Sequence, residues 1–304
     1  MSRDRREKLL VFGGSGFVGS RVLELWQADL ELVAPTHGEV DVLDLDAVSA
    51  LLTSAHPAAV LNLAAGAHVD AAEAERDDRG GRAYALNGDF PGRLAALCAE
   101  RNTYLVHLST DYVFDGRQAI RAYREQDPPN PLSWYGQTKL IGEQRVREAH
   151  PKACVARVEM PFSAQAHPRT DFARTCLRRF EAGQVVAGVT DQRITPVFLD
   201  DAIHALRRLI AERYTGLIHV AATTWTTPYQ YARSIAERLG RDPELVQPTT
   251  FEAFSATRPA PRPRFSWLDV TRFTSEFGPT ILRSFEAELD AWFAQLSTAV
   301  TRAS

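Results

Sequence analysis

The run "KLLVFGGSGFVGSRVLELW", residues 8–26, constrains the fold more than any other stretch of the chain. An apolar segment of strand length ends at Phe12, glycines follow at positions 13, 14, 16 and 19, and an amphipathic stretch opens at once with Phe17, Val18, Val22, Leu23, Leu25 and Trp26. A glycine turn between strand and helix lets backbone approach a ligand closely, and the N–H groups that open the helix suit a pyrophosphate. Gly13, Gly16 and Gly19 fit GxxGxxG, while Gly14, Gly16 and Gly19 fit GxGxxG, so spacing alone leaves the variant of dinucleotide fold open. The position of the turn, directly after the first strand of an alternating chain, favours a cofactor cradle over a plain turn. Gly13, Ser15, Gly16, Phe17, Val18 and Gly19 are the expected cradle, with Gly19 letting helix and strand pack.

The same alternation continues through the first half. Strands are expected at 8–12, 31–34, 59–64, 103–109 and 153–158, separated by amphipathic stretches such as "PGRLAALCAERN" and "LIGEQRVREAH". Strands alternating with helices imply right-handed crossovers and a parallel sheet covered on both faces, an α/β doubly wound fold. Beyond residue 160 the pattern turns irregular, mixing Pro-rich loops such as "RPAPRPRF" with helices such as "PYQYARSIAERLG". The division expected is a nucleotide-binding domain over 1–160, rejoined by 191–221, and a smaller substrate lobe over the rest of 161–304.

Composition excludes several classes. A formal net charge of −3 with 24% charged residues gives no electrostatic call for nucleic acid. Cys98, Cys154 and Cys176 lie far apart among apolar neighbours and read as buried reduced thiols, which suits a cytoplasmic protein. The eight histidines form no HxH, HExxH or Cys/His pattern, so no metal site is expected. No apolar run has the length of a membrane span or follows a signal-peptide pattern. The acidic run "VDAAEAERDD" reads as helix-start acids facing water, and aromatics at 225, 229 and 231 as core.

Two further segments carry chemistry. No acid ends the second strand, where one would clasp the ribose 2′-OH and repel a 2′-phosphate. "APTHGEVDVLD" instead places Thr36 and His37 to accept a 2′-phosphate, with Asp41 and Asp44 towards the adenine and Glu39 able to turn inward, a tilt to NADP(H) with NAD(H) still usable. In "WYGQTKLIGE", Tyr135 and Lys139 are four residues apart and share a helix face. A phenol of pKa about 10 needs a downward shift of roughly three units to act near neutrality, which an adjacent ammonium favours. In "LSTDYVFDG", Ser109 or Thr110 ends the fourth strand, where a hydroxyl would hydrogen-bond a substrate carbonyl.

The segments "GGSGFVGS", "NLAAGAHVDAAE", "LVHLSTDYVFDG", "YREQDPPNPLSWYGQTKLIGE", "DQRITPVFLDD" and "RPRFSWLD" together resemble the extended short-chain dehydrogenase/reductases, specifically the dTDP-4-dehydrorhamnose reductase group, over roughly residues 8–295. The resemblance implies a triad of Thr110, Tyr135 and Lys139, with Tyr112 beside the sugar. It implies that Asn62, Ala64 and Ala65, after the third strand, and Asn87, at the head of the next helix, lie along the cofactor. The family's "RTSWVYG" is "RVEMPFS" here: Arg157 is kept, Met160 stands where the family has a sugar-contacting Trp, and Met160 and Phe162 are expected to line the sugar site. Arg262 and Arg264 suit a diphosphate clamp, or simply a basic loop. The activity implied is NADPH-dependent reduction of a nucleotide-linked 4-keto-6-deoxysugar, and a homodimer is compatible with it. Two alternatives stay open: an NADP-binding regulatory subunit like the β subunit of methionine adenosyltransferase, which bears a similar "STDYVFDG", and a nucleotide-sugar epimerase.

Overall fold

The computed structural model describes residues 6–303, with side chains described to residue 297. Its strands are β1 (Lys8–Phe12), β2 (Glu31–Val33), β3 (Ala59–Asn62), β4 (Tyr104–Thr110), β5 (Cys154–Val158), β6 (Val186–Val189), β7 (Gly216–Val220) and β8 (Val246–Thr249). Six of them form one sheet in the order β2-β1-β3-β4-β5-β7, and β6 pairs with β8 in a separate two-stranded sheet. The pairs β1/β2, β1/β3 and β3/β4 are parallel, with Leu10 opposite both Val33 and Val60. Strands such as "LLVF" and "AVLN" are apolar at nearly every position because helices cover both faces of such a sheet. From β1 the chain builds first to one side and then to the other, so the carboxyl ends of β1 and β3 flank the topological switch point, where ligands of open α/β sheets bind.

The strands expected from sequence appear within one or two residues, and two helices extend beyond expectation. Ser133 caps the helix Trp134–Ala149, its hydroxyl accepting from Gly136 N at 3.2 Å, which places Tyr135 and Lys139 in the first two turns. The helix Phe90–Glu100 is entered through Arg82–Tyr84 and a wide turn over Ala85–Asp89 that contains Asn87. Asp44 serves as the N-cap of Leu45–Ala55, accepting from the N–H groups of Asp46 and Ala47.

The chain divides into two compact units. The first comprises the residues up to Val113, Pro129–Arg157 and Leu206–Ile218, around a core that includes Leu10, Phe12, Val60, Phe90, Leu94, Leu105 and Val155. The second comprises Phe114–Pro128, Val158–Ala205 and the chain from His219, around Phe162, Phe180, Phe198, Tyr231, Phe285 and Trp292. This corrects the expected boundaries at two places. Residues 191–205 do not rejoin the first unit, because Thr195 and Phe198 are bonded to the buried carboxylates Glu159 and Glu288 of the second. Phe114–Pro128 leaves the first unit, since Tyr123 stacks on Phe114 and its N–H donates to the carbonyl of Trp267. Among the described residues no helix is long and apolar enough to cross a membrane, no cluster of three metal-ligating side chains occurs, and all three cysteines are free and buried.

Candidate active site

The glycine turn is built by close approach. Gly13 has φ of +80°, and a Cβ there would stand 2.7 Å from Ala64 N and 2.9 Å from Leu63 O, so the turn lies directly on the end of β3. At Gly19 a Cβ would come within 2.1 Å of Gly13 O, which is the tight strand-to-helix packing expected of it. Gly16 is the N-cap of Phe17–Trp26, with no side chain capping the helix start. Its added Cβ would meet only Gly13 O, at 3.2 Å. Ser15 and Gly16 are exposed and Phe17 and Val18 half-buried, so the start of this helix is open to solvent.

Opposite this turn, Asn62 ends β3 fully buried and accepts from Ala64 N at 3.1 Å, folding back the loop that continues through Ala65. Asn87 bonds both backbone groups of Gly66, at 2.8 and 3.1 Å, and donates to Thr138 at 3.2 Å, tying the same loop to the helix of Tyr135. The exposed loop after β2 is arranged differently from expectation. Glu39 accepts from both the N–H and the hydroxyl of Thr36, so neither donor is free as the loop stands. His37 lies 4.0 Å from Asp41, and Asp41 accepts from Leu43 N within its own turn.

Thr110 ends β4, with its hydroxyl donating to Asp111 at 3.0 Å and accepting from Tyr112 N at 3.3 Å. The rings of Tyr112 and Tyr135 meet edge to face with centroids 5.6 Å apart. Lys139 is 2% exposed, and its ammonium donates to the carbonyl of Leu108 at 2.6 Å. That bond brings the lysine to β4 two residues before Thr110. Burial pushes the Lys139 ammonium down to about 8, against the pull of Glu143. Glu143 in turn forms a buried bidentate pair with Arg157 of β5, at 2.9 and 2.6 Å. The retained arginine thus anchors the helix that carries Tyr135 and Lys139.

The acidic run is part of this construction. Glu73 accepts from Trp134 N at 2.8 Å, where an anion is favoured by the helix dipole, and Glu75 accepts from Ala83 N at 2.7 Å. These carboxylates hold backbone rather than facing only water. The roles of Glu73 and Glu143 carry no short-range sequence signal, because Trp134 and Arg157 are each more than a dozen residues away.

In the second unit Met160 is half-buried with φ of +39°, an uncommon conformation for a side chain other than glycine. Phe162 corrects an expectation: it is 1% exposed and ringed by Phe198, Tyr231 and Phe285, so it fills core and presents no face to a ligand. Arg264 is exposed but bonded through Nε and a terminal nitrogen to Asp191, and Arg262 donates to the nearby carbonyl of Ala260 at 2.9 Å. Of the three aromatics, Tyr231 is core, Tyr229 packs on it, and Trp225 is 44% exposed beneath the guanidinium of Arg193, 4.7 Å from its ring centroid.

A family model for the RmlD substrate binding domain matches residues 7–298. The chain belongs to this family. It is similar to the probable low-salt glycan biosynthesis reductase Agl14 of Haloferax volcanii, 33% identical across 95% of this chain and 99% of that one. A second relative is the dTDP-4-dehydrorhamnose reductase of Mycolicibacterium smegmatis, 34% identical across 97% and 88%. Among solved structures, the dTDP-4-dehydrorhamnose reductase of Bacillus anthracis in complex with NADP matches with a TM-score of 0.86 at 25% identity, over 95% of this chain and 99% of that one. The RmlD family assignment agrees with the resemblance carried by "STDYVFDG", and the six-stranded sheet with the fold expected from the glycine turn.

Proposed function

We propose that this RmlD-family protein is an NADP(H)-dependent reductase of a nucleotide-linked 4-keto-6-deoxysugar. The observation that carries the reading is the bond from Lys139 Nζ to the carbonyl of Leu108, which brings the Tyr135–Lys139 helix to the end of β4 at Thr110. The similarity to the dTDP-4-dehydrorhamnose reductase of Mycolicibacterium smegmatis supports the substrate class.

The residues present fit a dinucleotide, since Gly16 opens an exposed helix start that no side chain caps, and a Cβ there would meet only Gly13 O at 3.2 Å. Gly13, Ser15, Gly16, Phe17 and Val18 would hold its pyrophosphate, with Asn62, Ala64, Ala65 and Asn87 along the nicotinamide half and Thr36, His37 and Asp41 near the adenosine. Gly19 supports the cradle from within the packing. When bound, NADPH supplies the hydride that reduces the sugar carbonyl. Thr110, turning its hydroxyl proton from Asp111 to the substrate, donates a hydrogen bond to the carbonyl oxygen, withdrawing charge from its carbon. Tyr135 gives its phenolic proton to the same oxygen as negative charge develops there. Lys139, charged at neutral pH, lowers the cost of the phenolate left behind and binds ribose hydroxyls. Tyr112, against the Tyr135 ring, is the candidate sugar contact of the first unit, and Met160, thinner and more adaptable than the tryptophan of related reductases, is the candidate of the second, where it would widen sugar choice. Arg262 and Arg264 are the candidate ligands for the substrate diphosphate, Arg264 by exchanging Asp191 for phosphate.

The test is a panel of nucleotide 4-ketosugars followed by NADPH oxidation and product analysis. Reduction of at least one to the 4-hydroxy sugar is expected. Failure of every ketosugar, together with a stoichiometric partner enzyme co-purifying from native extract, would overturn the reading in favour of a regulatory subunit.

A further inference from the structure

His107 lies at the centre of the first unit and belongs to none of the roles above. It is fully buried on β4, with Nδ1 3.2 Å from Asn62 Nδ2 and Nε2 3.5 Å from Lys139 Nζ. The tautomer follows from the neighbour. Asn62 Oδ1 already accepts from Ala64 N, so the Asn62 amide nitrogen is the atom turned to the imidazole, and it donates. Nδ1 must therefore accept, and a neutral ring then carries its proton on Nε2, facing Lys139.

We propose that His107 is a positioning residue of the reduction, held by Asn62 as the Nε2–H tautomer so that it sets the upper pH at which Lys139 serves cofactor and phenol. An Nε2–H donor next to Lys139 is adverse to the ammonium and favourable to the neutral amine, whose lone pair it can meet. Among the described residues, the carbonyl of Leu108 is then the one acceptor for the ammonium, and it fixes the direction of Nζ. Burial and the neighbouring Lys139 both hold the His107 imidazole well below the usual histidine range, so it stays neutral while the lysine titrates. On its own helix Tyr135 lies one turn before the lysine and Glu143 one turn after it, and Arg157 of β5 is bound to Glu143. Glu143 favours the ammonium, and the Nε2–H of His107, 3.5 Å from Nζ, is the group set against it. Because Asn62 also holds the loop after β3, the same chain of bonds links the lysine to that loop.

The proposal rests on the reductase reading for its role in turnover, but two readouts are independent of ketosugar chemistry. The first is the 15N imidazole spectrum of the wild-type protein between pH 6 and 9, where a non-titrating neutral ring protonated on Nε2 is expected. The second is the alkaline limb of NADPH binding, followed by cofactor fluorescence, and of turnover where a ketosugar is reduced. Asn62→Asp keeps the acceptor for Ala64 N but makes its other oxygen an acceptor for Nδ1–H, so the imidazole proton moves to Nδ1 and Nε2 accepts from the ammonium. The limb is expected to move up by about one pH unit in that variant. Measured against His107→Leu alone, Asn62→Asp should move the limb distinctly less, by only what the new carboxylate contributes directly to the ammonium. A wild-type ring protonated on Nδ1, a wild-type imidazolium, or an Asn62→Asp shift of equal size with His107 and with Leu at position 107 would overturn the proposal. Absence of ketosugar turnover alone would instead count against the reductase reading.

Discussion

The carboxylate of Glu39 accepts from both hydrogen-bond donors of Thr36, the N–H at 2.7 Å and the hydroxyl at 2.9 Å. Those bonds hold the carboxyl below its ordinary range and leave a negative charge in the loop where a 2′-phosphate would sit. NADPH must displace this carboxylate to use Thr36, whereas NADH need not. In Glu39→Gln the ratio of kcat/KM for NADPH over NADH should therefore rise by roughly fivefold or more, the worth of one hydrogen bond and a removed repulsion. An unchanged ratio would show that Thr36 takes no part in cofactor choice.

Gly16 and Gly19 should separate cofactor binding from folding. A Cβ at Gly16 meets only Gly13 O at 3.2 Å, whereas at Gly19 it lies 2.1 Å from the same oxygen and 2.7 Å from Gly14 Cα. Gly16→Ala is expected to melt near the wild-type temperature yet bind NADPH at least about tenfold more weakly. Gly19→Ala should lose about 1–3 kcal/mol of stability through overpacking. Calorimetry on both variants checks the contrast, and equal affinity in Gly16→Ala would remove the phosphate from this helix start.

Tyr135→Phe should reduce turnover by about two to four orders of magnitude while leaving NADPH affinity near wild type, because only a proton donor is lost. Lys139→Met should damage both, since one ammonium serves two partners. Steady-state kinetics with separate measurement of the cofactor dissociation constant distinguishes the two patterns.

Arg157 and Glu143 are each 3% exposed and bonded through two oxygens. Arg157→Met strands a buried carboxylate, and a loss of about 3–5 kcal/mol is expected in denaturant unfolding. Adding Glu143→Leu should recover part of that loss, because the unpaired charge is then gone. A double variant no more stable than the single one would mean the pair acts through packing instead.

Glu159 should impose a pH dependence on stability. Its buried carboxyl accepts from Thr195 N at 2.8 Å, from the Thr195 hydroxyl and from the Ser266 hydroxyl at 2.6 Å, yet burial still pushes it up to about 7 from 4.5. The folded state thus holds this proton more tightly than the unfolded chain. The stabilisation is complete below about 4.5 and is lost as pH rises through about 7. Melting temperature should fall across that window in the wild-type protein and fall less in Glu159→Gln, which is read directly by scanning calorimetry at several pH values.

Much of the architecture is legible in the chain because it is written in local periodicity. "KLLVF", the four glycines and the apolar positions from Phe17 to Trp26 determine a strand, a turn and a helix from neighbours along the sequence, and the repeated alternation determines a parallel doubly wound sheet. The spacing of Tyr135 and Lys139 determines that they share a helix face. Tertiary structure decided what those residues meet. Phe162 and Met160 are two residues apart in one apolar stretch, and only the packing of Phe198, Tyr231 and Phe285 assigns Phe162 to the core. Glu39 and Thr36 read as separate candidates until the loop folds one onto the other. His107, Glu143, Arg157 and Glu159 look like single polar residues in apolar surroundings. Their partners come from other strands and loops, and a buried charge or imidazole acquires its protonation state only from the neighbours that replace water around it.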